Sequence, residues 1–222
     1  MNKPEVYERV VTVGVDIQND FCPGGSLAVP EGDLVVPVFN TVAEWTRSDP
    51  AGLVAFTRDW HPAHTNHFIP EGGPWPVHCV ADTEGAAFKE GLDVRNGDTV
   101  LSKGTHVDED AYSGFQAKSP NELTLETLMA PVSHERIAVI IGGLATDYCV
   151  KATVMDALKL AERAKTQNFE RKLGVFVLED AIKAVDVAAG DGERAIAEMR
   201  VAGAQFVTVE DIVYGSVIEV RN

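Results

Sequence analysis

Basic residues are scarce in this sequence: 19 lysines and arginines stand against 34 aspartates and glutamates, a formal net charge of −15. So acidic a chain is repelled by phosphate backbones and anionic headgroups, which argues against nucleic acid or a membrane surface as partner. Cysteine is scarce too. Cys22, Cys79 and Cys149 are odd in number and far apart, so they make no disulfide framework, and each is either a buried hydrophobe or a working thiol. No apolar run approaches the roughly 20 residues that span a bilayer, and the first five residues lack the apolar core of a signal peptide. The expectation is a cytoplasmic protein. Repeats, low-complexity tracts and linkers are missing as well, so residues 1–222, 45% of them hydrophobic, are expected to form a single domain around one well-buried core.

What is present is an alternation of short apolar β-branched runs with helical patterns. Residues 10–15, 53–57, 100–101, 137–141, 172–178 and 205–209 read as strands, the first two as strands buried on both faces. Between them, Asp33 is placed to cap a helix running to about Arg47. Ser119-Pro120-Asn121-Glu122 has the form of a capping box opening a helix to about Met129. A helix follows Cys149 with Val150, Val154, Ala157, Leu158 and Ala161 on one face, and Asp191 is placed to cap a last one to about Ala202. This pattern predicts a three-layer αβα domain with a mostly parallel, doubly wound sheet of about six strands. Residues 59–97 carry no long periodic element, and a loop-rich stretch of that length is more often functional than decorative.

In such sheets ligands bind beyond the carboxyl ends of the strands. Asp16, Asp59, Lys103 and Cys149 each lie just past one of those ends and are expected to converge. Cys149 sits at a helix start, where partial positive charge and free N–H groups lower a thiol's pKa; taken alone, a lone cysteine is more often a small buried hydrophobe. Asp16 could take the thiol proton and later activate water, or merely brace a turn. Lys103 could neutralise that pair and depress the thiol's pKa, or be a solvated surface charge. Four of the six histidines, His61, His64, His67 and His78, crowd the irregular stretch after Asp59. Asp and His donors at this density suit zinc, iron or manganese, the alternative being exposed loop histidines. Cys79 could add a thiolate, although its neighbour His78 should point the other way in an extended chain. Phe21, Trp75 and Tyr112 fall on loops, where a flat ring could stack on them.

Five segments, in order, carry a resemblance: Val15-Asp16-Ile17-Gln18-Asn19-Asp20-Phe21, Asp59-Trp60-His61-Pro62, Trp75-Pro76-Val77-His78-Cys79-Val80, Lys103-Gly104 and Gly143-Leu144-Ala145-Thr146-Asp147-Tyr148-Cys149-Val150. Together they closely resemble the nicotinamidases of the isochorismatase-like hydrolase superfamily, over nearly the whole chain. The resemblance implies a metal-containing cysteine amidohydrolase that converts nicotinamide and water to nicotinate and ammonia through a thioester, with pyrazinamide as a further substrate. Cys149 would be the nucleophile, Asp16 the general base and Lys103 its partner. Asp59, His61, His67 and His78 would hold one divalent metal, zinc first, iron or manganese as alternatives. The resemblance also implies a cis peptide bond at Leu144-Ala145, an oxyanion hole from the N–H groups of Ala145 and Cys149, and a substrate pocket with Phe21, Trp75, Leu144 and Tyr112. The expected partner is a small molecule, with a homo-oligomer allowed. Residues 105–111 and 163–172 match no motif.

Two rivals stay in view. A metal-free carbamoyl or ureido amidohydrolase would share Asp16, Lys103 and Cys149 but has no use for Asp59, His61 and His78. From another class, a zinc lyase of carbonic anhydrase type would use a metal-bound hydroxide and would want a cysteine as ligand.

Overall fold

The β-branched runs lie side by side in the computed structural model, which describes residues 4–130, 135–166, 172–215 and 217–220. In chain order the elements are β1 (Glu5–Tyr7), β2 (Arg9–Val15), α1 (Val35–Arg47), β3 (Leu53–Asp59), β4 (Thr99–Lys103), α2 (Leu125–Leu128), β5 (Arg136–Leu144), α3 (Lys151–Thr166), β6 (Lys172–Lys183), α4 (Asp191–Val201), β7 (Gln205–Val207), α5 (Val209–Val213) and β8 (Ile218–Val220). Six strands form one parallel sheet in the order β4-β3-β2-β5-β6-β7. The order reverses between β2 and β5, so the crevice that such folds use for ligands opens beyond Val15 and Leu144.

Alternation along each strand splits the core in two. Val10, Phe56, Ile140 and Phe176 face α1 and α5, whereas Val11, Val13, Leu101, Val139 and Ile141 face α3 and α4. Helix α3 turns Val154, Ala157, Leu160 and Ala161 inward; Leu160 takes the buried place expected of Leu158, which packs only at the edge. Gly143 sits at the switch point with φ +124°, and a Cβ there would meet the Val15 carbonyl oxygen at 2.1 Å. Only glycine lets β2 and β5 approach so closely where the site begins.

Several local expectations need correction. Asp33 caps nothing: the chain enters α1 through a 3-10 turn, Gly32–Leu34, led by Glu31 in the left-handed region, and Leu34 occupies the cap. Ser119 does not open a helix. Its hydroxyl accepts the N–H groups of Asn121 and Leu123 in a turn closed by left-handed Glu122, and the helix waits for Thr124 and spans only Leu125–Leu128. Gly190, not Asp191, caps α4, while the Asp191 carboxylate accepts the Ala188 N–H just upstream. Strand β7 ends at Val207 because Thr208 and Asp211 form a capping box that starts α5. The small parallel pair β1·β8 has no counterpart in the expected pattern, since three-residue strands leave too short a period to read. Of the unmatched stretch 163–172, residues 167–171 lie outside the described residues and the first four close α3. Among the described residues no helix is long and apolar enough to cross a membrane.

Candidate active site

Strands β2, β3, β4 and β5 deliver one residue each to a single buried point. Asp16, Asp59, Lys103 and Cys149 are all at most 7% exposed. Lys103 Nζ lies 2.8 Å from Asp16 Oδ2, bonds Asp59 Oδ1, donates to the Ala111 carbonyl at 3.1 Å and stands 3.5 Å from Cys149 Sγ. Thr57, which is paired with Val15 across β2·β3, donates its hydroxyl to Asp16 Oδ1 at 2.7 Å. Removing several charges from water costs several kcal/mol per ion, so a buried lysine with two carboxylates and a thiol marks a site more than a stabilising device.

The electrostatics follow. Burial pushes the Asp16 carboxyl up despite Lys103. Burial also acts on Asp59, but there Lys103 and His61 outweigh it and hold the carboxyl well below its ordinary range. Lys103 stays charged because Asp16, Asp59 and Cys149 overcome its own desolvation. Cys149 departs from expectation. Its thiol is pushed well up, by burial first, with Asp16 and Asp59 adding to it and Lys103 opposing. The helix start and the lysine do not win against a dry site with two carboxylates, so the resting group is a thiol, with the Asp16 carboxylate within 4.8 Å of it.

The loop after β3 brings His61, His67 and His78 together, buried, with ring nitrogens within 4.8 Å of one another. His64 is turned out to solvent against Glu71. His61 Nδ1 lies 3.0 Å from the Gly104 carbonyl and His78 Nδ1 lies 2.7 Å from that of Pro76. A carbonyl only accepts, so Nδ1 carries the proton in both rings and Nε2 presents a lone pair. These two Nε2 atoms stand 3.7 and 3.9 Å from Asp59 Oδ2. His61 Nε2 is buried with no hydrogen-bond partner. Lone pairs of two imidazoles facing a carboxylate, with a third histidine beside them, fit a divalent cation of the zinc type. Asp59 links the two halves, one oxygen on Lys103 and the other toward the histidines. Cys79 stays apart as a buried thiol, its N–H on Asp20 Oδ2 at 2.7 Å.

Above this floor opens a cleft of about 420 Å3 including its mouth, walled by Phe21, Trp75, Tyr112, Tyr148 and Ala145, with Asp59, His67, His78 and Cys149 at its base. The Trp75 indole donates to the Tyr112 hydroxyl at 2.9 Å and meets the Tyr148 ring edge-on, centroids 4.9 Å apart. Leu144 is not part of this wall. Its side chain is fully buried in the core under α1, and Ala145 fronts the cleft at that point. Tyr148, given no role on sequence grounds, is a wall residue; its adjacency to Cys149 was the available signal. Residues 105–111, which matched no motif, supply Ala111 to the cleft and its carbonyl to Lys103, and Asp110 Oδ1 lies 3.0 Å from His67 Nδ1 as a charge partner.

Cys149 enters this site on a widened turn. The Leu144–Ala145 peptide is cis, and Thr146–Val150 winds as a π-helix before α3 begins. The Ala145 carbonyl accepts the N–H groups of Tyr148 and Val150, both at 3.1 Å, and passes over the Cys149 N–H between them. Such turns are rare and recur at functional positions.

Fold and site together define the class: a hydrolase of three-layer α/β architecture. Residues 10–211 match the isochorismatase domain, and the chain belongs to the isochorismatase family. It is 37% identical over 213 residues to the nicotinamidase of Escherichia coli (strain K12), covering 89% of this chain and 93% of that one. The structure resembles the pyrazinamidase of Pyrococcus horikoshii in complex with zinc, with TM-score 0.74, 39% identity and coverage of 90% and 99%. It also resembles PnC1 from L. infantum in complex with nicotinate, with TM-score 0.73, 30% identity and coverage of 99% of each chain.

Proposed function

We propose that this protein is a nicotinamidase, releasing ammonia from nicotinamide, and from pyrazinamide as an analogue, through a thioester on Cys149. The observation that carries the reading is the meeting of a thiol, Asp16 and Lys103 with a three-histidine cluster at the base of an aromatic cleft. The likeness to a nicotinamidase, a zinc-bound pyrazinamidase and a nicotinate complex supports the same substrate class. The histidine cluster disfavours a metal-free carbamoyl or ureido amidohydrolase. Cys149 lies against Lys103 and Asp16, not among the histidines, which disfavours a lyase with cysteine as metal ligand.

Asp16 accepts the Cys149 proton as sulfur attacks the carboxamide carbon. Lys103 holds Asp16 and balances the charge that appears on sulfur. The N–H groups of Ala145 and Cys149 receive the oxyanion, each such donor contributing on the order of 3 kcal/mol. Asp16 then passes its proton to the departing amine, ammonia leaves, and a thioester remains. With Asp16 again a base, water is deprotonated and cleaves the thioester to nicotinate, returning the thiol. Phe21, Trp75, Tyr112 and Tyr148 confine the ring and exclude bulk water from the dry carboxylate and thiol. Asp59, His61, His67 and His78 would hold one divalent ion, zinc first, which supplies a Lewis acid for a pyridine nitrogen and so positions the ring.

The test combines metal analysis of purified protein with ammonia release from nicotinamide, pyrazinamide, ureidoacrylate and N-carbamoyl substrates. The expected result is about one divalent ion per chain and turnover of the pyridine and pyrazine carboxamides only. Preference for a carbamoyl substrate would overturn the reading.

A further inference from the structure

Three histidines meet in the cluster, and two of them are oriented by the backbone: His61 by the Gly104 carbonyl and His78 by that of Pro76. His67 is held differently. Its Nδ1 lies 3.0 Å from Asp110 Oδ1, a side chain 62% exposed, while the His67 ring is 6% exposed. The two are brought together by a clasp between the loops that carry them. The Thr65 hydroxyl and the Asn66 N–H both donate to the Val107 carbonyl, at 2.8 and 3.0 Å, and the Asn66 amide donates to Asp108 Oδ1 at 2.6 Å. On the far side of Asp110, the Ala111 carbonyl is fixed by Lys103 Nζ at 3.1 Å. Asp110 is thus pinned between two anchored neighbours and aimed at one ring nitrogen.

We propose that Asp110 is a positioning residue for the metal site: its carboxylate accepts the Nδ1 proton of His67 and so fixes the ring with Nε2 turned to the ion. This rests on the metal reading given above. A carboxylate behind a histidine ligand fixes the tautomer and raises the basicity of the ligating nitrogen. Here it also makes His67 the one cluster member whose orientation depends on a solvent-exposed side chain.

The test is Zn2+ affinity of chelator-stripped protein, read by competition with a chromophoric chelator, with no substrate present. Asp110→Ala is expected to weaken Zn2+ binding about 10- to 100-fold, the usual loss when such a partner is removed. Asp110→Asn retains an acceptor oxygen and is expected to stay within about threefold of the wild type, which separates a hydrogen bond from a general charge effect. In a His67→Ala background Asp110→Ala should cause no further loss, since the group it orients is gone. If the wild type binds no Zn2+, the metal reading itself falls and takes this inference with it. If the wild type binds but Asp110→Ala binds equally well, or weakens binding as much without His67, only the role of Asp110 is overturned.

Discussion

The Thr57 hydroxyl donates to Asp16 Oδ1 at 2.7 Å, while Lys103 takes the other oxygen at 2.8 Å. Asp16, the proposed base, therefore has one oxygen hydrogen-bonded and the other ion-paired before any substrate arrives. Thr57→Val removes one bond without changing volume much. It is expected to lower kcat/KM about tenfold, the equivalent of a hydrogen bond to a charged group. Because that bond lowers the Asp16 pKa, its loss should also move the acid limb of the pH profile upward. A rate loss with an unmoved acid limb would show that Thr57 acts only on packing.

Cys149 lies 3.5 Å from Lys103 but outside the histidine group. Cys149→Ala is expected to abolish ammonia release while leaving the bound-metal content of the purified protein unchanged. Retained turnover would remove the thioester from the mechanism. Loss of metal would instead place the sulfur among the ligands.

Gly104 has φ +64°, and a Cβ there would meet His61 Cε1 at 2.4 Å and Nδ1 at 2.6 Å. The contact is with a ring that is itself buried and cannot retreat. Gly104→Ala is expected to turn His61 off the Gly104 carbonyl and to weaken Zn2+ binding at least tenfold by chelator competition. The strained backbone alone costs about 1 kcal/mol. Unchanged affinity with a lowered thermal midpoint would confine the effect to the backbone.

How much of this was legible depends on what each residue owes to its neighbours in sequence. Asp16, Asp59, Lys103 and Cys149 could be found because each lies at or soon after the end of a strand-forming run, and a parallel sheet brings such ends together. The density of histidines alone did not separate His64 from the others; only the family resemblance singled out His61, His67 and His78. The turn that buries His67 and expels His64 is set by contacts to residues 107 and 108, more than thirty positions away. Asp110 was invisible for the same reason, belonging to no motif and acting only through that clasp. The thiol's shift runs opposite to what the helix start implies, because a helix start is a local feature of the sequence and burial is not. Leu144 shows the limit of motif transfer: it borders the site in sequence, yet its side chain points into the core.

Acid should unmake the site in an order set by the histidines. Burial holds the His78 ring down to about 4, against the opposing pull of the Pro76 carbonyl and Asp59. His67 is lowered too, again by burial first. In the unfolded chain both return to the ordinary value near 6.5, so between pH 6.5 and 4 the unfolded state binds more protons than the folded one. The sign is then fixed: this contribution to stability is complete above about pH 6.5 and is lost as pH falls through about 4. For His78 the full effect is on the order of 3 kcal/mol. Chelator-stripped protein should therefore show a urea midpoint that falls steadily from pH 6.5 to 4, and His78→Gln, which cannot take up the proton, should flatten that fall. An equal slope in the variant would mean that carboxylates elsewhere, not the buried imidazoles, govern acid stability.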